Sequence, residues 1–131
     1  MKKVFDLISL RGRTALITGA AGSLGQEIAS TVAELGGDLL LVDRPGVDFS
    51  SIVKKIQDNW DVSVSCFNFD LESEFERKNL INEVNSYGQL DILFNNAAFV
   101  GDSKLDGWST DFENQTVETW RRAFELNLTA P

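Results

Sequence analysis

Short apolar runs alternate along the chain with segments whose apolar residues recur at helical spacing. Thr14–Thr18 is a short apolar run that stops at Gly19, the pattern of a buried strand. From Ser23, the positions of Leu24, Ile28, Val32 and Leu35 predict one buried face of a helix, which Gly36 and Gly37 end. Leu39–Val42 predicts a second strand, stopping at Asp43-Arg-Pro-Gly46. Asp48 is placed to cap the next helix, with Ile52, Val53, Ile56 and Trp60 on its buried face. Val62–Phe69 alternates and predicts another strand. Ser73 and Glu76 fit a capping box ahead of a helix that carries Phe75, Leu80, Ile81, Val84 and Tyr87 and closes at Gly88. Leu90–Phe94 predicts a fourth strand. The polar stretch from Gly101 to Gln115 is long for a connection and points to a functional loop. Thr116 opens a last helix with Val117, Trp120, Phe124 and Leu128 on one side.

Strand and helix in alternation argue for an α/β fold, a doubly wound parallel sheet with helices on both faces. No repeat or linker divides the chain, so residues 1–131 read as one domain. The charge pattern narrows the partners. Twenty acidic against twelve basic residues give a formal charge of −8. Such a chain repels phosphate-rich surfaces at long range, which excludes nucleic acid and an anionic membrane as expected partners. There is no His, which removes His-based triads and most zinc sites, and no metal site is expected. Cys66 is the single cysteine, expected as a buried structural thiol on the third strand. Asp6 and Arg11 interrupt the apolar start, so it does not read as a signal peptide, and no apolar run is long enough to span a bilayer. The expected location is cytoplasmic.

The candidate chemistry lies at Thr18-Gly-Ala-Ala-Gly-Ser-Leu-Gly25, between the first strand and the first helix. A glycine-rich turn there lets backbone amides and the positive helix end meet a pyrophosphate. Gly19 makes the tight turn, Gly22 clears the phosphate's approach, and Gly25 lets the helix pack against the strand. The Ser23 hydroxyl offers a further donor. Asp43 ends the second strand 18 residues after Gly25. A carboxylate there accepts from the ribose diol of adenosine and repels a 2′-phosphate, which favours NAD over NADP. Arg44 beside it is a group that accepts a phosphate, so NADP stays open as the less favoured cofactor.

These residues resemble the short-chain dehydrogenase/reductase family from about Arg11 onward. Four landmarks carry the resemblance: the glycine loop, Asp70 after the third strand, Asn95-Asn-Ala-Ala98 after the fourth, and Trp120 with Glu125-Leu-Asn-Leu128 on the last helix. The resemblance implies a Rossmann-like sheet, cut short after about four strands and so incomplete at its C-terminal side. It implies that Gly19, Gly22, Ser23, Leu24 and Gly25 line the pyrophosphate and that Asp43 holds the adenosine ribose. Asp70 and Leu71 frame the adenine, Asn95 and Ala97 line the cofactor cleft, and Asn127 holds a water in the family's proton relay. Two positions depart from the pattern. The Gly-x-x-Gly-x-x-Gly spacing is like the branch that modifies nucleotide sugars, and Ala98 stands where the family has glycine.

The family moves a hydride between a nicotinamide and an alcohol or carbonyl carbon, using a Tyr with a Lys four residues later. The one tyrosine here, Tyr87, has Asp91 in that position and lies before the fourth strand, so the pair is absent. The chain alone is therefore expected to bind NAD weakly and to catalyse nothing. A non-catalytic dinucleotide-binding or sensor module, and a fragment of a nucleotide-sugar epimerase or dehydratase, remain as alternatives. Trp108 and Phe112 would lie above the nicotinamide end, where aromatic rings stack on a sugar. The alternative reading is that Trp108 packs its loop onto the domain. The intact protein is expected to take a small-molecule substrate and to form a homodimer or homotetramer through the last helix.

Overall fold

The computed structural model describes residues 4–100 and 105–131. Residues 101–104 of the expected functional loop lie outside the described residues. The chain runs α1 (Val4–Ile8), β1 (Thr14–Thr18), α2 (Ser23–Glu34), β2 (Asp38–Asp43), α3 (Ser50–Gln57), β3 (Val64–Asn68), α4 (Glu74–Ser86), β4 (Ile92–Phe94) and α5 (Val117–Phe124). A 3₁₀ turn at Phe112–Asn114 precedes α5, and a π turn at Glu125–Thr129 continues it.

The four strands form one parallel sheet in the order β3-β2-β1-β4. β1 pairs with β2 from Thr14↔Asp38 to Thr18↔Val42, and with β4 from Ala15↔Ile92 to Ile17↔Phe94. The two-residue period of a strand then sorts the core into two layers. Ala15, Ile17, Leu39 and Leu41 pack with α2 and α3. Leu16, Leu40 and Val42 face the other way, onto Leu80 of α4. Both faces of β1 and β2 are covered, which explains why those strands are apolar throughout.

Local chemistry sets the element ends. Ser73 Oγ accepts from the Glu76 N–H at 3.3 Å, as a capping residue does. The Glu76 carboxylate does not complete the box at Ser73; it reaches back to the Asp70 N–H. Asp48 Oδ1 accepts from the Ser50 N–H at 2.9 Å at the start of α3. The fourth strand begins later than expected because the Asp91 side chain takes the Thr14 N–H at 2.9 Å. That bond leaves only Ile92–Phe94 in the ladder.

Several predicted faces turn out otherwise. Leu24 is exposed, and the buried stripe of α2 is Gly25, Ala29, Val32 and Ala33. These smaller residues let α2 sit close to the sheet, and that approach fixes its rotation. On α4 only Leu80 is buried, while Phe75 and Ile81 are exposed. On α5 the buried residues are Thr119 and Ala123, and the stripe of Val117, Trp120, Phe124 and Leu128 faces outward. Cys66 is exposed, because β3 is an edge strand; its remaining burial pushes the thiol pKa up. Among the described residues, no helix is long and apolar enough to cross a membrane.

Candidate functional site

The C-terminal ends of β1, β2 and β4 converge on the glycine loop. The order in which strands are added reverses here, since β2 and β4 lie on opposite sides of β1. In open parallel sheets a crevice forms at such a point. This chain has one of about 910 Å³, walled by the loop, the end of β2, the turn after β3 and residues 96–100.

Gly19 adopts φ +63°, which L side chains rarely adopt. A Cβ there would stand 2.9 Å from Ala97 Cα. A Cβ on Gly25 would fall 2.3 Å from the Gly19 carbonyl oxygen and 2.7 Å from Ala20 Cα. These two glycines are demanded by packing. Gly22 differs: its φ is −68°, and a Cβ would meet only the Gly19 oxygen, at 3.3 Å. The fold tolerates a small side chain there far better than at Gly25.

Gly22 is the N-cap of α2 and supplies no side-chain acceptor. The first-turn amides of α2 therefore have no cap, and Ser23 and Leu24 are exposed along the crevice. Asp43 faces the loop. Its Oδ2 accepts from the Ala21 N–H and its Oδ1 from the Arg44 N–H, each at 2.9 Å. Each oxygen keeps a second lone pair for a ligand hydroxyl. A cradle of close backbone, uncapped amides and a fixed carboxylate fits a dinucleotide.

Asp70 and Leu71 also line the crevice. The Asp70 Oδ1 accepts from the Glu72 N–H at 2.9 Å, which shapes the turn after β3. Ala97 lines the crevice, while Asn95 is exposed and lines an adjoining, largely apolar cleft of about 540 Å³ beside α4, which shares Leu71, Ala97 and Leu126 with the crevice. The neighbour Asn96 is the asparagine in the crevice. Its Nδ2 donates to the Thr18 carbonyl at 2.9 Å and to the Gly19 carbonyl at 3.2 Å. Thr18 Oγ1 accepts from the Asn96 and Ala97 amides at 3.1 and 3.0 Å and donates to the Phe94 carbonyl. Thr18 and Asn96 together bolt the glycine loop to the end of β4. Sequence reasoning missed both; the signal was a hydroxyl at the end of a buried strand, which must find a partner.

Asn127 sits in the π turn, a distortion often found at functional sites. Its Oδ1 accepts from the Phe99 N–H at 2.8 Å and its Nδ2 donates to the Phe99 carbonyl at 3.2 Å. The side-chain amide thus clamps the peptide groups of Phe99. Trp108 is partly buried, stacks edge-on against Trp120 at 5.9 Å, and donates to the Val100 carbonyl at 2.8 Å. These contacts anchor its loop to α5. Phe112 is exposed. Tyr87 caps the C-terminal end of α4 and meets Phe67 edge-on, on the α4 side of the sheet.

The profile of the short chain dehydrogenase family matches residues 13–131. The chain is similar to the 7alpha-hydroxysteroid dehydrogenase of Escherichia coli, 34% identical over 124 residues, covering 94% of this chain and 45% of the relative. It superposes on the NADPH-dependent 3-quinuclidinone reductase of Rhodotorula rubra with TM-score 0.81 and 26% identity, covering 99% of this chain and 47% of the other. It also resembles a short-chain dehydrogenase from Sphingobium yanoikuyae solved with NADPH, with TM-score 0.75 and 30% identity over 90% of this chain and 43% of that one. The chain spans about half the length of the curated relatives it matches. A doubly wound sheet, a glycine loop at its switch point and a family profile over nearly all residues agree, and the chain belongs to the short-chain dehydrogenase family.

Proposed function

We propose that this chain is the dinucleotide-binding part of an oxidoreductase that moves a hydride between NAD(P) and an alcohol or carbonyl carbon. The observation that carries this reading is the crevice itself: uncapped α2 amides opposite a carboxylate fixed at the end of β2. Gly19, Gly22, Ser23, Leu24 and Gly25 hold the diphosphate, Asp43 the adenosine ribose, and Asp70 and Leu71 the adenine. Bound there, the nicotinamide supplies or accepts the hydride. The residues of this chain bind and orient the cofactor, and Tyr87, away from the crevice, takes no part. The chain alone is therefore inactive as an enzyme. The protein that carries it takes a small-molecule substrate in the cytoplasm and assembles through α5.

NAD is the preferred cofactor in this reading, because the Asp43 charge faces the place a 2′-phosphate would occupy. Solved relatives bound to NADP(H), such as the Sphingobium yanoikuyae enzyme, give weight to NADP as well. Titrating the chain with NADH and NADPH decides. Asp43→Asn keeps the acceptor for the Ala21 N–H and removes the charge. It is expected to weaken NADH and strengthen NADPH, moving the ratio of their dissociation constants by about tenfold or more. An unchanged ratio, or no binding of either nucleotide to the unaltered chain, rejects the assignment. The carbohydrate-related substrate rests on Trp108 and Phe112 alone, and the anchoring of Trp108 weakens it.

A further inference from the structure

One wall of the crevice is closed by residues that no motif singles out. The Glu72 and Arg122 side chains, 50 positions apart, join the turn after β3 to α5. Arg122 Nε donates to Glu72 Oε2 and Nη2 to Oε1, both at 2.8 Å. Such a two-pronged pair has fixed geometry, and this one is 22% exposed on the Glu72 side and 44% on the Arg122 side. The Arg122 guanidinium also lies 5.4 Å from the centre of the Phe99 ring, a cation–π distance. All three residues line the crevice.

The pair connects on one side to Asp70, already placed at the adenine, and on the other to Phe99 in the crevice wall. The Glu72 N–H is held by Asp70, and the Phe99 peptide groups are held by Asn127. A second link runs parallel: Arg77 donates to the Leu71 carbonyl and to Glu125 Oε1, the latter at 2.7 Å. Thus α5 is tied across the crevice mainly by polar bonds, since its apolar stripe faces outward. The local charge adds a second reason. Asp43, Asp70 and Glu72 line the crevice of a chain with net charge −8, against Arg44 and Arg122. Glu72 without Arg122 would repel a diphosphate.

We propose that Glu72 and Arg122 form a clasp across the mouth of the crevice, a positioning pair that sets the gap for the adenosine half of the dinucleotide. This rests on the cofactor reading above. The two residues touch the cofactor's neighbours and act through Asp70 and Phe99, so their loss alters grip without removing a ligand contact.

The test is the dissociation constant of NADH, followed by the Trp fluorescence of the 131-residue chain, with thermal melting of each variant alongside. Arg122→Gln leaves the Glu72 carboxylate unpaired and is expected to weaken NADH about tenfold. Glu72→Gln breaks the ion pair but leaves no unpaired anion in the crevice, and is expected to cost about threefold. The charge-swapped double variant, Glu72→Arg with Arg122→Glu, is expected to return to within about threefold of the unaltered chain. A residue that serves folding alone would shift the melting midpoint and leave this rescue pattern absent. If Arg122→Gln binds like the unaltered chain, or if the swap binds no better than Arg122→Gln, the clasp is overturned while the cofactor reading stands. If the unaltered chain binds no dinucleotide, the cofactor reading fails and the clasp falls with it.

Discussion

At the scale of single residues, the three loop glycines have different physical reasons to be glycine. Gly25 is required by packing: a methyl group there would overlap a backbone oxygen at 2.3 Å. Alanine raises helix propensity by about 1 kcal/mol, but it cannot relieve a clash with rigid backbone. Gly25→Ala is expected to lower stability by about 1–3 kcal/mol, read by chemical denaturation. Gly22 has ordinary φ and room for a methyl group after a shift of a few tenths of an ångström. The protein's own packing demands glycine there far less than at Gly25, and the proposed reason for it is the phosphate that approaches the loop. Gly22→Ala is expected to change stability by less than about 1 kcal/mol. The same variant should weaken NADH by about tenfold. Calorimetric titration beside a melting curve separates the two effects; equal NADH affinity in Gly22→Ala would show that no phosphate lies against that position.

At the scale of elements, β4 is the shortest strand, and its place beside β1 depends on Asp91 as much as on its own ladder. Asp91 accepts from the Thr14 N–H and from Arg13 Nη1, the latter at 2.6 Å, and Gln89 adds a further donor. The Thr14 amide, followed by the Arg13 hydrogen bond, holds the Asp91 carboxyl below the usual carboxylate range. A depressed folded-state pKa stabilises the fold above the unfolded pKa, and this is lost as pH falls through the folded value. Asp91→Asn is therefore expected to melt clearly lower than the unaltered chain at pH 7, with the gap narrowing below about pH 4. A gap independent of pH would rule out the carboxylate charge as the cause. The same strand shows what the sequence could convey. The apolar runs of β1 and β2 were legible because both faces are buried. The start of β4 was not, because Asp91, inside the predicted run, takes the Thr14 amide of β1 with its side chain. Likewise Asn95 and Asn96 differ in nothing a sequence displays. The two-residue alternation past the end of β4 sends one toward α4 and the other to the loop. The meeting of Asp43 with the glycine loop was legible because the two lie at the ends of neighbouring strands; the contacts of Thr18, Glu72 and Arg122 were not, because their partners lie 50 or more positions away.

At the scale of the molecule, α5 leaves an apolar side uncovered, and the proposed assembly through it makes a prediction. Val117, Trp120, Phe124 and Leu128 are 67%, 47%, 52% and 67% exposed, and they follow one side of the helix and its π turn. Trp120 is braced by Trp108 on one side and Phe124 on the other, so the stripe is already ordered before anything docks. Covering one such side chain contributes about 1.5–3 kcal/mol, and a two-fold contact uses every residue twice. A second copy placed on the stripe therefore gains several apolar contacts without new ordering of the helix. Opposing this is the charge of −8 on each copy. That repulsion is long-range and falls as salt shortens the screening length, while apolar contact is not weakened by it. Self-association through α5 should consequently strengthen with salt, the reverse of an ion-paired interface. Sedimentation velocity at about 0.05 M and about 0.5 M salt is expected to show the mass of the chain rising at the higher value. Phe124→Glu should hold it monomeric at both, because it sets a charge in the centre of the stripe on each copy. A monomer of the unaltered chain at every concentration and salt would mean that α5 is not where copies meet.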